Sequence, residues 1–116
     1  MTASPRRTRL PSRRPAITQD IIVGNMILSA SVGFDETARP AEVFLSGAKH
    51  GSGLSAILED ASVVISIALQ HGIRGAALAK SIARIPESLD GPAVKPASPI
   101  GAALDPLVQY EAAQNG

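Results

Sequence analysis

A glycine-rich segment, Gly47-Ala-Lys-His-Gly-Ser-Gly53, holds the residues best suited to chemistry in this sequence. It lies between an extended apolar run and an apolar helical pattern, so its backbone N–H groups would point outward at the positive end of a helix dipole. Such a place attracts phosphate. The candidate anion or nucleotide site therefore consists of Lys49, Gly51, Ser52 and Gly53.

The same segment also has a purely structural interpretation, in which the glycines turn the chain and Ser52 caps the helix. Its spacing differs from a Walker A loop, in which a lysine follows glycine and directly precedes Ser or Thr, and no βαβ pattern follows. The surroundings of Ser52 also differ from the Gly-x-Ser-x-Gly turn of hydrolase nucleophiles. Both interpretations, anion site and plain turn, stay open.

Other side chains offer little for catalysis. His50 and His71 lie at opposite ends of the predicted helix, roughly 30 Å apart at the helical rise, so one metal ion cannot bind both. Glu59 and Asp60 are adjacent and point to different sides of the helix. The sequence has no cysteine, which excludes disulfides, thiolate metal sites and thiol catalysis. We predict no catalytic residue and no metal site.

A second class of function is DNA binding. A helix-turn-helix needs a small residue, a turn glycine and two buried aliphatic residues, and this sequence has them at Ala68, Gly72, Ile73 and Leu78. However, His71 replaces the usual apolar residue before the turn. The second helix would then direct its basic side chains to the groove, and an arginine-rich arm would add phosphate contacts. The residues of this alternative are Arg6, Arg7, Arg9, Arg13, Arg14, Lys80 and Arg84.

The predicted elements begin after a basic arm. Residues 1–18 are rich in Arg, Pro, Ser and Thr and are predicted to be disordered, with weak nonspecific attraction to nucleic acid. From Met26 to Phe34, apolar residues alternate with small ones, which indicates a strand. Turn-forming residues 35–40 separate it from a second extended run, 41–45. These runs predict an antiparallel β-hairpin.

Two helices are predicted to follow the hairpin. The first begins at the N-cap Ser52 and ends before Gly72, and the second covers Arg74 to Ile85 and folds back against it. The first helix is expected to bury residues at helical spacing: Leu54, Ile57, Leu58, Ala61, Val64, Ile65, Ala68 and Leu69. The predicted class is α+β with the order β-β-α-α over residues 19–86, followed by a Pro-rich linker and short C-terminal helix in 87–116.

Composition sets further limits. With 116 residues and only three aromatic side chains, the chain has material for one small aliphatic core. A hairpin on two helices buries little core and is marginally stable by itself, so we expect it to dock on another protein or on a copy of itself. There is no uninterrupted apolar run of about 18 residues and no secretory signal pattern. A cytoplasmic protein without a membrane partner is expected.

The strand Arg39-Pro-Ala-Glu-Val-Phe-Leu45, then Lys49, Gly51-Ser52 and a helix ending Ser66-Ile-Ala-Leu-Gln-His-Gly72 resemble the TSCPD-domain family. This family includes the C-terminal accessory domain of cobalamin-dependent, class II ribonucleotide reductases. The resemblance covers about residues 20–108 and implies a small free-standing relative of that domain. It implies a role in deoxyribonucleotide synthesis, with cobalamin needed only by the full-length reductases.

The motif that gives the family its name is altered. The Thr-Ser-Cys-Pro-Asp motif corresponds to residues 96–100, where Ser98 stands in place of the cysteine, Ile100 replaces the aspartate and only Pro99 is retained. A serine hydroxyl supports neither a thiol relay nor soft-metal binding. The resemblance therefore implies a non-catalytic accessory or regulatory module, with no cofactor of its own, although similarity links it to ribonucleoside-diphosphate reductase.

Overall fold

The computed structural model describes residues 16–48, 51–82 and 84–115. Antiparallel strands are followed by helices, which confirms the predicted α+β class. In chain order the elements are β1 (Ala16–Val23), β2 (Met26–Phe34), β3 (Pro40–Ser46), α1 (Gly53–Gln70), α2 (Gly75–Ala79), β4 (Arg84–Pro86), β5 (Val94–Pro96) and α3 (Pro99–Asn115).

The main sheet has three strands in the order β1-β2-β3. β1 pairs with β2 from Ala16 opposite Gly33 to Val23 opposite Met26, across a two-residue turn in which Gly24 has a φ of +60°. The β2–β3 hairpin is confirmed, but β1 was not predicted, and it begins inside the segment interpreted as the arm. The third strand doubles the pairing along β2 and gives the helices a wider face to cover.

The β2–β3 turn is organised by Asp35. One carboxylate oxygen accepts hydrogen bonds from the Thr37 backbone N–H, the Thr37 hydroxyl and the Arg39 N–H at 2.9, 2.7 and 3.1 Å. Partial burial alone would raise the pKa of Asp35, but the hydrogen bonds from Thr37 and Arg39 outweigh it, so the pKa lies below its ordinary value. The carboxylate therefore stabilises the turn above the unfolded-state pKa, and this contribution is lost as the pH falls through the folded-state pKa.

Helix α1 covers the edge of β3 with polar side chains. The Ser66 hydroxyl accepts from the Val43 N–H at 3.0 Å and donates to the Val43 carbonyl at 3.1 Å. Ser62 accepts from the Leu45 N–H at 3.0 Å, and the Gln70 amide donates to the Ala41 carbonyl at 3.0 Å. All three side chains are buried. We call Ser62, Ser66 and Gln70 the polar ladder.

The polar ladder works because two repeat distances nearly match. Four residues of an α-helix rise about 6 Å, and two residues of a strand advance about 6.8 Å. Residues spaced four apart on the helix can therefore reach residues spaced two apart on the strand at three successive positions. The backbone of β3 that would otherwise be an open edge finds its partners in these side chains rather than in a fourth strand.

The predicted buried face of α1 is partly wrong. Leu58, Ile65 and Leu69 are buried as expected, whereas Ile57 is 56% exposed and Val64 is 67% exposed. The polar ladder turns one side of the helix toward β3 and leaves these aliphatic residues facing outward. By length and composition α1 could also cross a membrane, although it lies here against the sheet of the domain.

Helix α3 completes the core below the sheet. Ala103, Leu104 and Leu107 are buried together with Leu28 and Val32 of β2. The Tyr110 ring meets Phe34 edge to face with centroids 5.4 Å apart, and its hydroxyl donates to the Gln19 side-chain oxygen of β1 at 2.7 Å. The short C-terminal helix predicted within residues 87–116 is thus longer than expected, because it continues through Pro106.

The prediction of a second helix reaching Ile85 and folding against the first is wrong. Helix α2 ends at Ala79 and packs mainly on α3. Its backbone N–H groups at Gly75 and Ala76 donate to the Glu111 carboxylate at 2.6 and 3.2 Å. A Cβ on Gly75 would lie 2.8 Å from that of Leu107, so only glycine permits this approach. The following segment forms the β4–β5 hairpin instead of helix and linker.

Replacing Ser66 by alanine tests the polar ladder. The variant leaves the buried N–H and carbonyl of Val43 without their partner, and we expect it to lower the free energy of unfolding by about 1–3 kcal/mol. Ser55→Ala is the matched control, since this serine also lies in α1 but bonds Ser52 through its backbone N–H. Urea denaturation measures both. Equal stability of the two variants would contradict a stabilising role for the polar ladder.

Candidate functional site

The glycine segment joins β3 to α1 as predicted. Ser52 is the N-cap of α1, with its hydroxyl accepting from the Ser55 N–H at 3.1 Å and its carbonyl accepting from the Ala56 N–H at 3.2 Å. At the other end Gly72 has a φ of +91°, as expected for the residue that ends the helix. The cap and the terminating glycine are confirmed.

Of the candidate anion residues, Gly51, Ser52 and Gly53 lie together at the start of α1. Gly51 has a φ of +79°, and a Cβ built on either glycine would meet nothing within 4 Å. No acidic residue lies in the first turn of the helix. The backbone here is open to a ligand from outside. Lys49 and His50 lie outside the described residues.

The residues of the DNA-binding alternative are not brought together in the described part of the chain. Lys80 follows the last residue of α2, whereas Arg84 begins β4 and forms an ion pair with Asp105 at 3.2 Å. They do not share a helix face, because α2 has only five residues. The five arginines of the arm, Arg6, Arg7, Arg9, Arg13 and Arg14, lie outside the described residues.

The remaining titratable groups form no metal site among the described residues, where no group of three or more His, Asp or Glu side chains converges. His71 is the C-cap of α1 and donates its backbone N–H to the Ile67 and Ala68 carbonyls at 3.1 and 3.2 Å. Glu59 and Asp60 are both exposed on α1, as predicted.

The altered motif lies at the start of α3. Ser98 accepts a hydrogen bond from the Gly101 N–H at 3.2 Å through its hydroxyl and from the Ala102 N–H at 3.0 Å through its carbonyl. Pro99 is the first helical residue, a favoured place for proline. The position of the motif cysteine is therefore a helix N-cap, and here a serine performs that role.

An apolar groove of about 550 Å³ runs between α1, α2 and α3. Its walls are almost entirely aliphatic, with Asp60 and Ser81 as the polar exceptions. Ile100, which stands in place of the motif aspartate, lines this groove beside Leu78 and Ile82. Sequence reasoning missed the groove, because it assumed that the two predicted helices pack directly on each other.

The sequence profile of the TSCPD domain matches residues 3–105, which is most of the chain. The chain belongs to the TSCPD domain family. The match includes the strand, glycine segment and α1 that carried the resemblance, together with the altered motif at the start of α3.

Curated relatives of this TSCPD domain are ribonucleotide reductases. The vitamin B12-dependent ribonucleotide reductase of Rhodopirellula baltica is 35% identical over 69 residues, covering 60% of this chain but 7% of the enzyme. The enzyme of the same name from Streptantibioticus cattleyicolor is 37% identical over 71 residues, again 60% of this chain and 12% of the enzyme. The TSCPD domain thus spans a small fraction of these relatives. No solved structure matches it significantly.

Replacing Ser98 by alanine removes the cap of α3. We expect a loss of about 1 kcal/mol in the free energy of unfolding, because the Gly101 N–H is left without a side-chain acceptor. Ser88→Ala in the exposed β4–β5 loop is the control and should stay within about 0.5 kcal/mol of the unmodified protein. Thermal and urea denaturation measure the difference. An unchanged Ser98→Ala variant would show that the cap contributes nothing.

Proposed function

We propose that this TSCPD domain is a non-catalytic accessory or regulatory module that acts with a vitamin B12-dependent ribonucleotide reductase in the cytoplasm. The observation that carries the proposal is the location of the similarity. The curated relatives match this chain only over a segment that makes up 7% and 12% of two of the enzymes. The chain therefore corresponds to a small part of these enzymes, and the reaction itself would belong to the rest of the reductase.

The chemistry of Ser98 supports a binding role over an electron-transfer role. A thiol relay needs a cysteine, and this sequence has none. The hydroxyl at the motif position instead accepts the Gly101 N–H and begins α3. The motif position thus keeps a structural function that does not depend on sulfur, and the module would act through its surfaces.

The groove does not fit cobalamin, the cofactor named for the relatives. A corrinoid carries polar amide side chains around a cobalt centre, whereas the groove walls are aliphatic apart from Asp60 and Ser81. His71, the one histidine in the described residues, lies at the C-cap of α1 and is not among the groove residues. We therefore derive no step through cobalamin on this chain.

Phe44 marks the surface that we propose for the reductase. It belongs to the strand that resembles the family pattern, yet its side chain is 59% exposed on the sheet face away from the helices. Ile22 and Ile27 lie on the same face and are 73% and 64% exposed. On this face Phe44 lies opposite Ser31 and between Glu42 and Ser46, so it is a single exposed aromatic side chain among polar neighbours, and aromatic residues of this kind often anchor a protein contact.

Binding to a purified B12-dependent reductase from the same cell tests the proposal. We expect the chain to bind, and Phe44→Ala to weaken the binding at least tenfold, because an exposed aromatic anchor contributes strongly to an interface. Leu89→Ala is the control, since Leu89 is 101% exposed at the tip of the β4–β5 hairpin, away from this face. Surface plasmon resonance gives both affinities.

The reductase should be measured both whole and without its own TSCPD region. Tighter binding to the truncated enzyme would support a module that occupies the place of that region. A chain that binds neither form would contradict the proposal, and equal effects of Phe44→Ala and Leu89→Ala would contradict the chosen surface.

A finer proposal is that the start of α1 binds the phosphate of a nucleotide. The open space around Gly51 and Gly53 and the first turn without acidic residues support it. The N–H groups of the first helical turn and the helix dipole would favour an anion, with Lys49 as a further positive charge. Ser52 would keep its role as N-cap while its neighbours contact the ligand.

An NMR titration with inorganic phosphate and with dATP tests this finer proposal. We expect chemical-shift changes in the amides of residues 51–55, because the ligand would lie against them. The amide of Gly72, at the opposite end of α1, is the internal control and should not move. Lys49→Ala should weaken the response several-fold. Unmoved amides at 51–55 would exclude the site, and a response to dATP alone would point to the nucleoside.

The DNA-binding alternative has less support, since Lys80 and Arg84 do not form one basic face. If the chain binds duplex DNA, binding that survives removal of residues 1–17 would point to the folded domain. Binding that vanishes would point to the arginine arm alone.

A further inference from the structure

The outward face of α1 carries an apolar stripe with helical spacing. Ile57, Asp60, Val64, Ile67 and His71 follow one another at intervals of three, four, three and four residues, the seam pattern of packed helices. Ile57 is 56%, Val64 67% and Ile67 37% exposed. We call these five residues the α1 seam. No described element covers it.

The two polar residues of the α1 seam, an acid and an imidazole, are complementary to each other. Asp60 and His71 lie symmetrically about a point between Val64 and Ile67. If a second α1 packs antiparallel across a two-fold axis at that point, Val64 lies opposite Ile67 of the second copy, and Asp60 lies opposite its His71. Such an axis brings the same surface of each copy into contact with its counterpart, as an isologous contact requires.

The surroundings of the seam fit the same arrangement. Ile57, at the outer end, would lie opposite Arg74 of the second copy, next to Ile73, which is 46% exposed. Helix α1 has 18 residues and is only about 27 Å long, so the seam alone is narrow for a stable dimer, which buries roughly 800 Å² per partner. The apolar groove adjoins the seam through Ile57 and Val64 and widens the contact.

A partner helix from another protein fits the α1 seam less well. Within α1 the only charged residues are Glu59 and Asp60, so an unrelated helix would have to bring a base to the position of Asp60. The second copy brings His71 to that position through the symmetry itself. We propose that this chain forms a two-fold dimer through antiparallel packing of the α1 seam.

Light scattering after size-exclusion chromatography of the full chain tests the proposal. We expect the unmodified protein to be a dimer and Val64→Asp to be a monomer, with the dimer dissociation constant raised at least tenfold. Ile22→Asp is the matched control, because this residue is 73% exposed on the opposite face of the sheet and should leave the dimer intact. Circular dichroism verifies that both variants fold.

Two charge variants test the antiparallel register. Asp60→Lys and His71→Glu should each weaken the dimer. The first places Lys opposite His71, so neither has an acidic partner. The second places Glu opposite Asp60, so two negative charges meet. An equimolar mixture should associate again, because the heterodimer pairs Lys with Glu at one end and retains Asp60 with His71 at the other. A mixture that stays monomeric would overturn the register.

A monomeric unmodified protein at the highest soluble concentration would overturn the dimer itself, as would equal loss of the dimer in Val64→Asp and Ile22→Asp. The first result would leave the seam and groove to another occupant, such as a partner helix or an apolar small molecule. These outcomes are independent of the reductase assay, which depends on Phe44 on the other side of the sheet.

Discussion

The hydrogen bonds between the polar ladder and β3 determine how the rest of this TSCPD domain is arranged. Ser62, Ser66 and Gln70 satisfy the backbone of a strand edge that would otherwise need a further strand or water. Both partners are buried, so neither can be removed without leaving an unsatisfied polar group. This fixes the rotation of α1 about its own axis.

That rotation has consequences on the opposite side of the helix. Because polar residues face inward along β3, Ile57, Val64 and Ile67 face outward. The hydrophobic core therefore needs α3 as well as α1, and Ala103, Leu104 and Leu107 of α3 are fully buried in it. Helix α2 packs on α3 through the close approach at Gly75, which leaves the groove between α1 and the other two helices.

Part of this arrangement was available from the sequence. Alternation in β2, the turn at Asp35 and the caps at Ser52 and Gly72 depend on neighbouring residues only, and they were predicted correctly. β1 was missed although Ile17, Ile21 and Val23 share one side of an extended segment and Gly24-Asn25 is a typical hairpin turn. Because basic residues precede β1, the predicted arm was extended to residue 18 and included the start of this strand.

The rest depends on tertiary contacts that periodicity does not report. A count of apolar residues on α1 favours burying Ile57 and Val64, since each buried aliphatic side chain stabilises the fold by roughly 1.5–3 kcal/mol. The serines at four-residue spacing were the one signal of the opposite orientation. The start of α2 likewise depends on Leu107 and Glu111, which follow Gly75 by some thirty residues in sequence.

The altered motif shows how one position can keep its structural role while its chemistry changes. A serine and a cysteine are similar in size, and a residue at a helix N-cap must above all accept a backbone N–H. Serine is the better acceptor of the two, whereas a cysteine there would have its thiolate stabilised by the helix dipole. Ser98 therefore strengthens the start of α3 and gives up the sulfur chemistry. Ile100, two residues later, lines the apolar groove, so both positions have a structural role in this chain, a helix cap at Ser98 and an apolar wall at Ile100.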